Sequence, residues 1–303
     1  MAVAFRTSSF ICKGHRLVYD DYGEGERVVV YLHGLLIDSE INRGIARALA
    51  ASGNRVVLLD LLGHGRSDKP EHASAYRIDT YADQVFALLD ELGVDEAVLG
   101  GMSLGANVSL FAASRQPGRV RGLVLEMPVL DRAVPAAALL FAPLLLLVHY
   151  ARTPVGWVSS FVRSLPATRF EAINSLLHGA ALPPDVMSAI LHGVLVGPVA
   201  PTQEERARIA VPTLVLAHRN DLIHPFDDAV DLAAHLLDAR LVRARSPIEL
   251  RLRPRRLTDV IAAFVKDVWT RPRDDGVDLP GGSPGESPSH GHDEARARAR
   301  ALP

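Results

Sequence analysis

One pentapeptide, Gly101-Met102-Ser103-Leu104-Gly105, constrains the fold of this chain more than any other segment. It follows the apolar run Glu96-Ala97-Val98-Leu99-Gly100 and leads straight into the helix-like Ala106-Asn107-Val108-Ser109-Leu110-Phe111. Strand, G-x-S-x-G and helix in immediate succession make the setting of a nucleophile elbow. There, small flanking residues permit a sharp turn that pushes the serine hydroxyl out of the sheet. The competing reading is an ordinary tight strand-to-helix turn with a capping serine.

The rest of the chain supplies a sheet for such a turn. Short β-rich runs alternate with helix-like segments, which predicts an α/β protein with a mostly parallel sheet. The strands are read at residues 28–33, 55–60, 97–100, 122–126, 213–218 and 239–243. Their unbroken apolar character suits strands covered on both faces. The opening residues, through Leu17-Val18-Tyr19-Asp20-Asp21-Tyr22 and Gly23-Glu24-Gly25, read as an antiparallel edge ending in a turn. Helices are expected over 41–52, 80–92, 104–116, 226–237 and 254–270. Between 131 and 209 the alternation stops; the stretch is helix-like and punctuated by prolines from Pro135 to Pro201. It is read as a helical lid inserted between the sixth and seventh strands, over the strand ends where α/β sheets bind ligands. The core then comprises 1–130 and 210–270. From 271 to 303 the chain turns to Gly, Pro, Ser, Asp and Arg-Ala repeats, too poor in apolar residues to fold alone, and is expected to be disordered.

Composition narrows the function. Of 303 residues, 48% are apolar and 22% charged, the balance of a soluble globular protein. A net charge of −2 gives no reason to expect a nucleic-acid partner. Cys12 is the single cysteine, read as a core residue, so no internal disulfide can form; with no signal peptide visible, a cytoplasmic setting is expected. The longest apolar run, 133–148, holds two prolines and is short for a bilayer span, so membrane association is not expected. No metal-ligand spacing and no phosphate-binding glycine loop appears, so no metal or cofactor is implied.

Two further motifs accompany the elbow. His33-Gly34-Leu35-Leu36 follows a strand of three valines, and Asp60-Leu61-Leu62-Gly63-His64-Gly65-Arg66-Ser67-Asp68-Lys69-Pro70 follows another. In this order and spacing, the three resemble the α/β-hydrolase fold family, in its esterase, epoxide hydrolase and C–C hydrolase branch, over residues 28–265. The resemblance implies an eight-stranded, mostly parallel sheet and a serine nucleophile, Ser103. It implies an oxyanion hole made by the Leu104 amide, at a helix N-terminus, and the Leu35 amide. His33, Asp60, His64 and Ser67 become bracing residues. Family order is serine, acid, histidine, and Asp221 in Arg219-Asn220-Asp221-Leu222-Ile223-His224-Pro225 matches the acid position; Glu126 is the alternative.

The base does not follow the pattern. The family histidine belongs after the eighth strand, but this chain has no histidine between His235 and His290. His224, three residues beyond Asp221, is one substitute. A lid histidine (His149, His178 or His192) is another. Glu249 or Ser246 at the vacant position points instead to a different reaction. His290 and His292 sit in the tail and suit no preorganised role. Loss of a triad member costs a serine hydrolase several powers of ten in rate, so the identity of the base decides among functions. The leading expectation is an esterase or lactonase acting on a small to medium apolar carbonyl substrate. A lyase or cyclase reusing the pocket, and a non-catalytic ligand-binding protein, are the alternatives. The substrate's apolar character is inferred from Leu139-Leu140-Phe141, Leu144–Val148 and Trp157-Val158 in the inserted segment.

Overall fold

The computed structural model describes residues 4–219, 221 and 223–272. All but the first two residues of the tail expected from 271 therefore lie outside the described residues. Among the described residues, eight strands form one sheet: β1 (Phe5–Cys12), β2 (His15–Tyr22), β3 (Val28–Leu32), β4 (Arg55–Asp60), β5 (Ala97–Met102), β6 (Val120–Glu126), β7 (Thr213–Ala217) and β8 (Ala239–Arg243). Their order is β1-β2-β4-β3-β5-β6-β7-β8. Only β2 runs against its neighbours; every other pairing is parallel.

Helices cover both faces because the central strands are apolar at nearly every position. In β3, Val28, Val30 and Leu32 enter one core and Val29 and Tyr31 the other, as the two-residue period of a strand requires. The first core packs against α2 (Ile78–Glu91), α3 (Leu104–Arg115) and α9 (Phe226–His235). The second packs against α1 (Arg43–Ala51) and α11 (Arg255–Thr270). Each fully buried Val or Leu contributes about 1.5–3 kcal/mol relative to exposure, so the two-sided sheet dominates stability. Cys12 packs in the first core. At the open edge β8 keeps Arg240 and Arg243 outward, charges that discourage pairing with another chain.

Between β6 and β7 lie five helices: α4 (Val134–Tyr150), α5 (Arg152–Arg163), α6 (Glu171–Ala180), α7 (Pro184–Val196) and α8 (Gln203–Ala207). Pro135 and Pro184 sit in first turns, where a missing amide costs nothing. Pro143 differs from a breaker's expected behaviour: α4 continues through it. Among the described residues no single helix is long and apolar enough to cross a membrane. All strands but β2 point their carboxyl ends to one edge, so the connections after β3, β4, β5, β6 and β7 meet there.

Candidate active site

The elbow is built by glycines. Ser103, between β5 and α3, has φ 52° and ψ −111°, a conformation that side chains rarely adopt. Gly101 and Gly105 make it possible, because they stack on each other and on the end of β3. A Cβ on Gly105 would lie 2.6 Å from the Leu32 carbonyl oxygen, and one on Gly101 would lie 2.6 Å from the Gly105 carbonyl carbon. The turn is held by the Ser103 amide donating to the Glu126 carbonyl at 2.8 Å and the Asn107 amide donating to the Ser103 carbonyl at 3.1 Å.

From the end of β7 the next loop brings an acid and an imidazole to that hydroxyl. Ser103 Oγ and His224 Nε2 are 3.1 Å apart. His224 Nδ1 lies 2.8 Å from Asp221 Oδ2; since the carboxylate only accepts, Nδ1 carries the proton and Nε2 is free to accept from the serine. The other carboxylate oxygen of Asp221 accepts from the amides of Ile223 (2.9 Å) and His224 (3.2 Å), which tightens the loop enough to bring His224 round. Burial pushes the Asp221 carboxyl upward, but the His224 ring and these two amides outweigh it and hold it well below the usual carboxylate range. His218 Nε2 also stands 3.1 Å from Asp221 Oδ2, off the direction of a hydrogen bond, while its Nδ1 donates to the Arg219 carbonyl.

Leu35 and Leu104 line the same cavity as Ser103 and His224. Leu104 is the first residue of α3, so its amide has no partner within the helix. The loop carrying Leu35 is braced by His33: its Nδ1 donates to the Gly34 carbonyl at 2.8 Å and its Nε2 accepts from the Leu61 amide at 3.0 Å. Burial lowers the pKa of His33 and pushes that of His64 down to about 3, so both are neutral scaffolding. Asp60 holds the Ser39 amide and the Arg66 side chain, and Ser67 links the Asp60 carbonyl to the Val18 amide.

The other candidates are engaged elsewhere. Glu126 turns to the opposite face of the sheet, where it accepts from Tyr31 (3.1 Å) and is paired with Arg251. Glu249 takes a two-pronged contact from Arg256 (2.8 and 3.0 Å) and the Arg245 amide. It opens α10 (Glu249–Leu252), and the Ser246 carbonyl accepts from the Glu249 amide in the same turn. His178 is bound to Asp38 at 2.6 Å, and His149 and His192 are exposed. His290 and His292 lie outside the described residues.

The cavity holds about 280 Å³ and is walled mainly by apolar side chains, among them Ile37, Ile78, Met102, Met127, Val134, Phe141, Val194 and Ile223. Sequence reasoning passed over Asn107, Met102 and Met127. Asn107 faces the cavity one helical turn after Ser103 and bridges the Val129 and Val199 carbonyls, at 2.6 Å each, tying both ends of the inserted helices to α3. The one amide side chain on a mostly apolar helix was its signal. The two methionines gave none.

Comparison with known proteins agrees with this architecture. A family model described as "alpha/beta hydrolase fold" matches residues 27–188. The chain is 28% identical, over 75% of its length and 85% of the relative's, to the AB hydrolase superfamily protein YisY of Bacillus subtilis. It is 29% identical to 2-hydroxy-6-oxononadienedioate/2-hydroxy-6-oxononatrienedioate hydrolase 2 of Pseudomonas putida, over 75% of this chain and 82% of that one. Among solved structures, Est816, described as an N-acyl homoserine lactone degrading enzyme, superposes with a TM-score of 0.66 at 25% identity, covering 85% of this chain and all of its own.

Proposed function

Since this chain belongs to the α/β-hydrolase fold family, we propose that it is a serine hydrolase of the esterase or lactonase type acting on a small to medium apolar carbonyl substrate. The observation that carries the reading is the unbroken contact from Ser103 Oγ through His224 to Asp221, at 3.1 and 2.8 Å. The names of a lactone-degrading enzyme and of a hydrolase of 2-hydroxy-6-oxo acids support carbonyl chemistry in general.

In this mechanism the substrate carbonyl sits over Ser103 with its oxygen toward the Leu35 and Leu104 amides. The hydroxyl attacks as His224 Nε2 takes its proton, and the two amides receive the charge that moves onto oxygen. Collapse expels the alcohol, which takes the proton back from Nε2. Water then attacks the acyl-serine, again giving its proton to Nε2; collapse breaks the acyl–Oγ bond, Ser103 Oγ takes that proton back from Nε2, and the acid is released. Asp221 stays ionised throughout and holds the imidazole in the tautomer with Nδ1 protonated. The apolar walls exclude water from the oxyanion, which strengthens both amide contacts. Residues 131–209 act as the lid over this cavity. The lyase and binding-protein readings rested on an absent base, and His224 at hydrogen-bond distance favours hydrolysis over both.

A fluorophosphonate probe, which reacts with activated serines, tests the reading directly. The wild type is expected to be labelled and to turn over p-nitrophenyl butyrate. Ser103→Ala should show neither, and His224→Ala should lose roughly three or more powers of ten in kcat. Folded wild-type protein that resists the probe, or full activity in His224→Ala, overturns the assignment.

A further inference from the structure

Among the described residues, three polar side chains line the active-site cavity, Ser103, Asn107 and His224, and each is engaged. Ser103 and His224 face each other, and His224 is backed by Asp221. Asn107 donates one amide hydrogen to the Val129 carbonyl and the other to the Val199 carbonyl, and its Oδ1 accepts from the Val129 amide at 2.9 Å. A carboxamide has only those two hydrogens, so Asn107 keeps none to donate to a ligand. The donors left over are the Leu35 and Leu104 amides, and the carbonyl oxygen of the substrate takes both. The wall beyond them is hydrocarbon and thioether: no Asp, Glu, Lys or Arg is among the described lining residues.

Charge selectivity follows from that wall. A carboxylate carried into the cavity gives up its hydration and meets no cation, and an unpaired buried charge is strongly disfavoured. The ionised group that does stand near, Asp221, lies one imidazole behind Ser103 and repels it. An ester or lactone brings no such charge. Its acid product does once ionised, so the wall that admits the substrate favours release of the product. Size follows from the volume. At about 30 Å³ per non-hydrogen atom, the share of a water molecule in the liquid, the 280 Å³ cavity holds roughly nine such atoms, the number in methyl hexanoate. One wall is α4, through Ala137 and Phe141, which are four residues apart and so share one face of the helix.

We propose that the site selects uncharged esters and lactones of medium chain length, near that of a hexanoyl group, and excludes carboxylate-bearing ones, with Ala137 and Phe141 setting the length. The chemistry rests on the hydrolase reading of Ser103; the selectivity is a property of the cavity wall. Methyl hexanoate and water give hexanoic acid and methanol through the acylated Ser103.

The full chain is assayed in a pH-stat with methyl esters from acetate to palmitate, and with monomethyl adipate at neutral pH, where its free carboxyl is ionised; fluorophosphonate labelling is run beside it. The expected kcat/KM peaks between butanoate and octanoate, and falls at least about a hundredfold from methyl hexanoate to monomethyl adipate. Ala137→Phe, which fills the cavity, should move the peak to shorter chains, and Phe141→Ala should move it to longer ones. Ala137→Lys, which supplies a cation, should narrow the hexanoate-to-adipate ratio by about tenfold or more. Wild type that turns over monomethyl adipate within about tenfold of methyl hexanoate overturns the proposal. So does a flat profile or a peak at acetate or palmitate, a peak that neither size variant moves, or a ratio that Ala137→Lys leaves unchanged. The wild-type comparison decides by itself should a variant fail to fold. Labelling with turnover that lacks this selectivity removes the proposal and leaves the hydrolase reading; folded protein with neither labelling nor turnover overturns both.

Discussion

At Ser103 the sequence motif becomes intelligible as a packing constraint. Gly105 admits no side chain because the Leu32 carbonyl occupies the space. Gly105→Ala must push α3 away from β3 and displace the hydroxyl from His224; a misplacement of about 1 Å costs on the order of a hundredfold in rate, and p-nitrophenyl ester kinetics should show that loss in kcat. Asp221→Asn leaves the loop's shape but favours the wrong His224 tautomer, so kcat should fall by roughly 10⁴ with KM little changed. The same carboxylate has an acid signature. Its native pKa is depressed, so the stability it contributes is present above about pH 4 and lost as pH falls toward the native value. Acid titration of unfolding should therefore be shallower below pH 4 in Asp221→Asn than in wild type. Ser103 and Asp221 were legible as candidates because their motifs are local. His224 was one candidate among several, because a residue three positions from the acid gives no sign of which way a loop will curl.

The strands and helices of the sheet were readable to within a few residues, since period and apolar content are local quantities. What α6 does was not. It seats on the loop that carries Leu35: the Asp38 amide donates to Ser175 Oγ, His178 binds Asp38, and Glu171 takes a two-pronged contact from Arg47. Gly179 is pressed so closely on Leu36, itself at φ 56°, that a Cβ would come within 1.8 Å of its carbonyl oxygen. Gly179→Ala should destabilise the protein by about 1–3 kcal/mol in urea unfolding, and lower kcat by moving the Leu35 amide. The hydrogen bond that His178 donates to Asp38 raises the His178 pKa, and burial of Asp38 is outweighed by His178 and Ser175, which lower its own. A raised histidine contributes stability in full below its unfolded pKa of about 6.5, and loses it as pH rises through the native value. Proteolysis of the inserted helices should accordingly quicken on passing from neutral to alkaline pH, and His178→Gln should flatten that dependence.

Over the whole molecule, the connection after β8 takes a different role from the one its position suggested. It folds into α10, and Arg251 from that helix reaches under the sheet to Glu126 and to Asn42 Oδ1 at 2.8 Å. Both charges of the pair are almost fully buried. Arg251→Met strands the Glu126 carboxylate and should cost about 3–5 kcal/mol in denaturant unfolding, while the folded fraction keeps its reactivity to the fluorophosphonate probe. Retention of stability in that variant would show the pair to be dispensable.

The amino-acid sequence alone determined the alternation of strand and helix, the elbow at Ser103 and the family, because each is written in contiguous residues. The tertiary structure decided which imidazole meets the serine. With strands about 4.8 Å apart, the order β5-β6-β7 sets the loop after β7 two strands from the elbow, a gap that a serine and a histidine side chain span together. Strand order is a property of the assembled sheet, and no segment read by itself contains it.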